Sequence, residues 1–371
     1  MFKEIGSNFF FDTEKLPLHP EAPGGIELNG KIQKEVYSSS GRGAASLVLD
    51  HIEPLKKIAL LPIYTCGSVI KPFLQRGYTV EYFDIELDLT VSWSKLERSI
   101  AFYNPGVVLL HSYFGFDGFS EIRKHIPALR EQGIIIIEDI THSLFSAFEN
   151  LEADYFVASL RKWIAIPDGG IAFSTGSSLI PPTMATQDKV VELNLQAFHE
   201  KLSYTKNLDA ELKEKYRHLF DDAELALNED INFYQMSSIS KRIIHQTDFP
   251  HLKEARKENY QYLLNELKDV EYLKPVFSDL PNDVVPLFFP VFVEIDRKEL
   301  RSYLSSMEIY MPVHWGIPKH FSGRLTDNAE FIYEAILSIP IDQRYEPIAM
   351  KRIIDVLKNY KPLSSRNLIS R

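Results

Sequence analysis

The chain has one cysteine in 371 residues, Cys66, and only three tryptophans. A single thiol excludes an internal disulfide and any cysteine-rich metal site, and no metal is expected. Long apolar runs are missing too: nothing approaches the ~20 residues that a membrane-spanning helix needs, so no membrane partner is expected. Basic residues are in the minority, 41 against 51 acidic, for a formal net charge of −10. With no Lys/Arg-dense segment, that balance argues against a nucleic-acid binder, yet it leaves room for an anionic ligand held by a few local cations. No internal repeat and no low-complexity tract is present. The opening Met1-Phe2-Lys3-Glu4-Ile5-Gly6 lacks the charged stretch and apolar core of a secretory signal, so the expected location is the cytoplasm.

What is present reads as α/β. From about residue 30 to 175, short apolar runs alternate with amphipathic stretches, the pattern of a mainly parallel sheet flanked by helices. Ile58-Ala59-Leu60-Leu61, Val80-Glu81-Tyr82-Phe83 and Val107-Val108-Leu109-Leu110 read as strands. Helical spacing over 66–76 and 118–132 ends at Gly77 and Gly133. Residues 183–230 are rich in Lys, Glu, Leu and Ala and read as helical, and a long helical pattern over about 237–268 links to a smaller carboxy-terminal α+β part. The expected division is an amino-terminal arm over 1–30, a large domain over 31–240 and a small domain over 241–371.

Three segments carry chemistry. Four isoleucines followed by Glu138-Asp139 form a β-branched run buried on both faces of a sheet, with Asp139 at its carboxyl end, where open α/β sheets bind ligands. Such an acid also commonly caps the next helix. Twenty residues on, Ser159-Leu160-Arg161-Lys162-Trp163 sets a lysine between apolar runs. Desolvation there would favour the neutral amine that a Schiff base requires, while a snorkelling structural lysine is the plainer alternative. Gly169-Gly170 follows, suggesting a tight turn before a return strand at 171–174. At Ser40-Gly41-Arg42-Gly43-Ala44-Ala45, small residues lead into a helical pattern over 46–52. A glycine-rich loop at a helix amino terminus suits a phosphate, with Arg42 as a bidentate cation; the same pattern also marks an ordinary capped helix. His142, three residues after Asp139, is a further candidate.

In this order, these segments resemble the DegT/DnrJ/EryC1/StrS sugar aminotransferases, fold type I pyridoxal phosphate enzymes. The likeness extends over most of the chain. It includes Leu61-Pro62-Ile63-Tyr64-Thr65, His111-Ser112-Tyr113-Phe114-Gly115, Glu138-Asp139-Ile140-Thr141-His142-Ser143, Asn232 to Met236-Ser237, Pro312-Val313-His314-Trp315 and Ile339-Pro340-Ile341. The resemblance implies a homodimer with shared active sites and pyridoxal 5'-phosphate linked to Lys162 as a Schiff base. It puts Asp139 on the pyridine nitrogen and Gly41, Arg42 and Ser159 around the phosphate. It sets His142 near the phenolic oxygen, where relatives carry glutamine, and has Asn232 reach the neighbouring subunit's phosphate. His314 and Trp315 are expected at the mouth of the substrate site, with an exposed ring for a sugar or base. The sequence also departs from the family. Ser159 precedes the lysine by three residues instead of five, Arg42 replaces a threonine, and the Asn232-to-Met236 spacing is one residue longer. Cys66 stands where an aromatic usually stacks on the cofactor, which leaves Tyr64 or His142 for that role.

The implied activity is amino transfer from an amino acid, expected to be glutamate, to a nucleotide-linked keto-sugar for surface polysaccharide or secondary-metabolite synthesis. Two alternatives stay open: another fold type I enzyme, such as a dehydratase or lyase, and a non-catalytic binding or regulatory protein of the same fold. Related dehydratases carry a histidine at the lysine position, so Lys162 opposes that version. A desulfurase would need a mobile cysteine, and Cys66, on a strand-to-helix loop, is poorly placed for one.

Overall fold

The computed structural model describes residues 4–12, 26, 35–147, 152–176, 178–318, 321 and 325–362. The strands in chain order are β1 (Ile5–Gly6), β2 (Val36–Ser38), β3 (Ile58–Pro62), β4 (Thr79–Phe83), β5 (Val107–His111), β6 (Ile135–Asp139), β7 (Tyr155–Ser159), β8 (Gly170–Ser174), β9 (Leu273–Pro275), β10 (Phe289–Val293), β11 (Ile309–Tyr310) and β12 (Ile336–Ile339). Seven of them form one sheet in the order β2-β8-β7-β6-β5-β3-β4. From β4 through β7 the pairing is parallel, while β8 and β2 join antiparallel. The apolar runs are explained by burial on both faces: all five residues of β5 are buried.

The helices are α1 (Gly41–His51), α2 (Gly67–Gln75), α3 (Trp93–Tyr103), α4 (Ser120–Arg123), α5 (Ile126–Glu131), α6 (Asp188–Asn207), α7 (Ala210–Glu229), α8 (Ser238–Gln246), α9 (Phe249–Glu266), α10 (Arg297–Ser306), α11 (Asp327–Ala335) and α12 (Pro347–Asn359). Three depart from the sequence reading. Helix α1 starts at Gly41, so residues 41–45 are its first turn and not a loop ahead of it. The Ser40 hydroxyl makes that start possible by accepting from Gly43 N–H at 3.0 Å. The 118–132 pattern is two short helices, the second opening with Pro127 in its first turn. The 237–268 pattern divides into α8 and α9, because Asp248 caps α9 by accepting from His251 N–H at 2.9 Å and Pro250 cannot continue a helix from before it.

The carboxy-terminal part contains a three-stranded antiparallel sheet, β12-β10-β9. Its strand β10 begins at Phe289, so the apolar residues 285–288 precede the sheet. One buried apolar cluster runs through both sheets, while the α6–α7 hairpin has a small cluster of its own against which Phe10 and Phe11 pack. The amino-terminal strand β1 pairs in parallel with β11, attaching the described part of the arm to the carboxy-terminal part.

The Glu138-Asp139 pair shows strand alternation at work, since neighbours on β6 point to opposite faces. Glu138 is fully buried beneath the sheet and takes a two-pronged ion pair from Arg123, both contacts at 2.9 Å. Arg123→Ala would strand that carboxylate, and we expect a loss of about 3–5 kcal/mol of stability. Urea unfolding checks this; an unchanged midpoint would show that the pair contributes nothing.

Candidate functional site

The carboxyl ends of β3, β5, β6 and β7 and the amino end of α1 surround a cavity of about 620 Å³. Thr141 builds its floor. Its backbone N–H donates to Asp139 Oδ1 at 2.9 Å, its hydroxyl accepts from Ser159 N–H at 3.0 Å, and its carbonyl accepts from Trp163 Nε1 at 2.7 Å. One residue thus ties Asp139, at the end of β6, to the turn that carries Lys162. That turn is a single 3₁₀ stretch, Leu160–Lys162. Leu160 and Trp163 go into the core, fully buried, while Lys162 faces the cavity and is exposed. The apolar flanks therefore do not desolvate Lys162 as the sequence suggested; they anchor the turn on either side of it.

Asp139 is 6% exposed and lies beside His111, whose Nδ1 is 3.4 Å from Oδ2. Burial alone would raise the carboxyl, but His111 and the two Thr141 donors outweigh it and hold Asp139 below its ordinary range. Sequence reasoning singled out Asp139 and overlooked His111 as its neighbour; the signal was the parallel register that sets His111 directly opposite Asp139.

On the far side, Gly41 touches Ser159 so closely that a Cβ at Gly41 would sit 2.9 Å from Ser159 Cβ. Ser40, Gly41, Arg42 and Ser159 all line the cavity. Arg42, expected to point at a phosphate, pairs instead with Glu224 of α7, which also lies 3.7 Å from Arg161. Burial would raise Glu224, yet the two guanidinium groups hold it below its ordinary range. Arg42 Nε is buried and unpartnered among the described residues, as are both ring nitrogens of His111 by hydrogen-bond geometry. Sequence reasoning singles out neither Arg161 nor Glu224; Glu224 lies 182 residues from Arg42 on α7, with no local signal.

His142 and His314 are buried in a ring cluster with Trp315, whose centroid is 5.3 Å from that of His142. Trp315 also packs on Tyr64 and His111, so it forms an inner wall and is not the exposed rim ring that was expected. Tyr64 is fully buried behind it and does not line the cavity, because Tyr113, Tyr333 and Trp315 enclose it. Of the two rings offered for cofactor stacking, His142 alone reaches the cavity. Cys66 lines it as well, half-buried ahead of α2 and accepting from the Ser68 hydroxyl at 3.0 Å. Asn232 lies outside the cavity, its side-chain amide donating to Asp230 Oδ1 at 2.7 Å and its carbonyl facing Gly43.

Burial, with His111 and Lys162 adding for both and His314 adding for His142, pushes His142 well below the usual imidazole range and His314 down to about 3. The folded values lie below the unfolded one of about 6.5, so the unfolded chain binds more protons as the medium acidifies. The stability tied to these rings is complete above pH ~6.5 and falls as pH drops through the folded values. In His314→Gln the thermal midpoint should lose less than wild type between pH 7 and 5; parallel curves would contradict this.

No protein-family model and no curated protein sequence matches the chain. Solved structures do match it. Helicobacter pylori PseC, an aminotransferase involved in the biosynthesis of pseudoaminic acid, aligns with a TM-score of 0.67 at 15% identity, over 96% of this chain and 98% of that one. The fold is shared with solved sugar aminotransferases. The putative sugar aminotransferase Spr1654 from Streptococcus pneumoniae, solved in its PLP form, aligns with a TM-score of 0.67 at 16% identity, over 96% of this chain and 98% of that one. A mutant of GDP-4-keto-6-deoxymannose-3-dehydratase (ColD) with bound GDP-perosamine aligns with a TM-score of 0.63 at 19% identity, over 87% and 88%. The aminotransferase fold thus serves more than one chemistry, and the side chains on the cavity must separate them.

Proposed function

We propose that this chain is a pyridoxal phosphate-dependent aminotransferase that moves the amino group of an amino acid, glutamate first, onto a nucleotide-linked keto-sugar. The observation that carries the reading is the convergence of Lys162, an ionised Asp139 and an anion cradle on one cavity at the carboxyl ends of a parallel sheet. The residues fit the cofactor. Lys162 is open to the cavity, and Asp139 is held anionic. Ser40, Gly41 and Ser159 crowd the amino end of an 11-residue helix, with Arg42 Nε unpartnered beside them.

Bound there, pyridoxal phosphate supplies an aldehyde that condenses with amines and a protonated ring that draws off electrons from the carbon being deprotonated. Lys162 would be the covalent anchor and, with its amine free, the group that takes the proton from the donor's α-carbon in one half of the cycle and gives a proton to the acceptor carbon in the other. Asp139 holds a proton on the ring nitrogen. The α1 terminus, Ser159 and Arg42 hold the phosphate, and Arg42 shares its charge with Glu224. His142, His314 and Trp315 line one wall and exclude water from it.

The proposal extends to a cytoplasmic homodimer in which Asn232 serves the partner's site, and to a large domain over 31–240 and a small one over 241–371. Lys162 favours the transferase over a dehydratase, whose family version carries histidine there. The test is a single half-reaction: glutamate added to the cofactor-loaded protein should convert the cofactor absorbance to that of its amine form. Bound cofactor that stays inert to every amino acid would favour a non-catalytic binding protein.

A further inference from the structure

Glu224 sits on guanidinium groups that the cofactor's phosphate also needs. Its carboxylate accepts from Arg42 Nη2 and lies 3.7 Å from Arg161. Helix α1 has no acid in its own first turn, so α7 supplies the negative charge beside that helix's positive end. The fit is incomplete. Glu224 engages Nη2 and leaves Arg42 Nε buried and unpartnered among the described residues. A phosphate has oxygens enough to take both prongs of the fork. The Glu224 side chain is 45% exposed, so letting go of Arg42 returns a carboxylate to water at small cost.

Charge sets the two anions against each other. Arg42 and Arg161 carry two positive charges and Glu224 cancels one, which leaves one against the roughly two negative charges of a phosphate. The other charged groups do not close that gap. Lys162 also acts on Glu224, but its amine is committed to the cofactor's aldehyde. Asp168, beyond Arg161, adds negative charge and is held by Ser237 N–H at 2.9 Å and by the Ser237 and Ser240 hydroxyls. Arg256, Arg301 and Arg344 line the cavity from the carboxy-terminal part, where they donate to the carbonyls of Leu287, Met311 and Asn8. Asp139 lies beside His111, and Asp342 is paired with Arg344. With Glu224 in place a phosphate meets a like charge across shared donors, whereas without it the two guanidinium groups balance the phosphate.

The α6–α7 hairpin can respond without unpacking the core. Its buried aromatics Phe198, Tyr204, Tyr216 and Phe220 form a cluster separate from the main one. Towards its carboxy end α7 is held by Glu224 and by Asn228, which accepts from Lys71 at 2.6 Å. Losing one such tie lowers the cost of local opening.

We infer that Glu224 is a latch: it competes with the cofactor's phosphate for Arg42 and Arg161, so that phosphate binding loosens the carboxy-terminal half of α7. This rests on the aminotransferase reading, which puts a phosphate at the amino end of α1.

The test measures dissociation constants of pyridoxal phosphate and of phosphate-free pyridoxal for wild type and E224Q, together with amide hydrogen exchange over 216–229. E224Q should bind pyridoxal phosphate roughly 5- to 50-fold more tightly and leave pyridoxal binding unchanged. In wild type, exchange over 216–229 should be faster with pyridoxal phosphate bound than with pyridoxal bound, and in E224Q that difference should vanish. Weaker or unchanged pyridoxal phosphate binding in E224Q, or an equal change for pyridoxal, would make Glu224 a structural or positioning group. Exchange in wild type that is equal or slower with the phosphate would do the same. Any of these overturns the inference and leaves the aminotransferase reading intact. A wild type that does not bind pyridoxal phosphate would overturn that reading and this inference with it. Urea midpoints identify an E224Q that fails to fold, in which case the wild-type exchange comparison decides alone.

Discussion

Lys162→Ala is expected to lower turnover by on the order of 10⁴-fold or more, while the protein folds normally and its thermal midpoint barely moves. The large loss follows from two jobs assigned to one amine: covalent anchoring and transfer of the α-proton, the second alone being worth about 10²–10⁴-fold. The small structural effect follows from the geometry. Leu160 and Trp163 anchor the turn in the core and Thr141 fixes it from β6, whereas Lys162 is exposed to the cavity. A variant that kept the lysine-linked absorbance and normal turnover would remove Lys162 from the mechanism. One that unfolded would make it a structural lysine.

Asp139→Asn should cost about 10²–10³-fold in turnover, the scale seen when one preorganised electrostatic group is removed. Asparagine keeps an acceptor for Thr141 N–H, so the local turn survives. What it lacks is the charge that keeps a ring nitrogen protonated. Because His111 and Thr141 hold the Asp139 pKa below its ordinary value, the wild-type carboxylate stays charged throughout neutral and mildly acidic conditions. Its contribution is present above the unfolded carboxyl value of about 3.9 and is lost only as pH falls through the lower folded value. Stopped-flow half-reaction rates with matched urea curves check both parts. A loss of folding with no specific loss of rate would assign Asp139 to helix capping instead.

The elements nearest the chemistry were legible because local pattern and burial agree there. The isoleucine run announces a strand buried on both faces, and the acid at its carboxyl end falls where open α/β sheets bind ligands. Lys162 was found for a partly wrong reason: its apolar neighbours bury themselves and not the lysine. The start of α1 was misread because two glycines in five residues look like a loop, while the Ser40 cap and the close contact of Gly41 with Ser159 make them a helical turn. Arg42 reads as free for a ligand in the sequence because its acid, Glu224, arrives from α7 and leaves no trace within its own segment. Arg256 is the extreme case. Within α9 it reads as one more charged residue of a surface helix, and only the packing of Trp163, Leu287 and Gln343 around it reveals a buried cation. Side chains on one strand end or one turn can be read locally, whereas groups assembled from distant elements need the fold.

The most direct test of the central claim is chemical trapping. Wild-type protein loaded with pyridoxal phosphate, reduced with borohydride and digested should carry the cofactor irreversibly on the peptide that contains Lys162. Label on another lysine, or cofactor that washes away after reduction, would contradict the account.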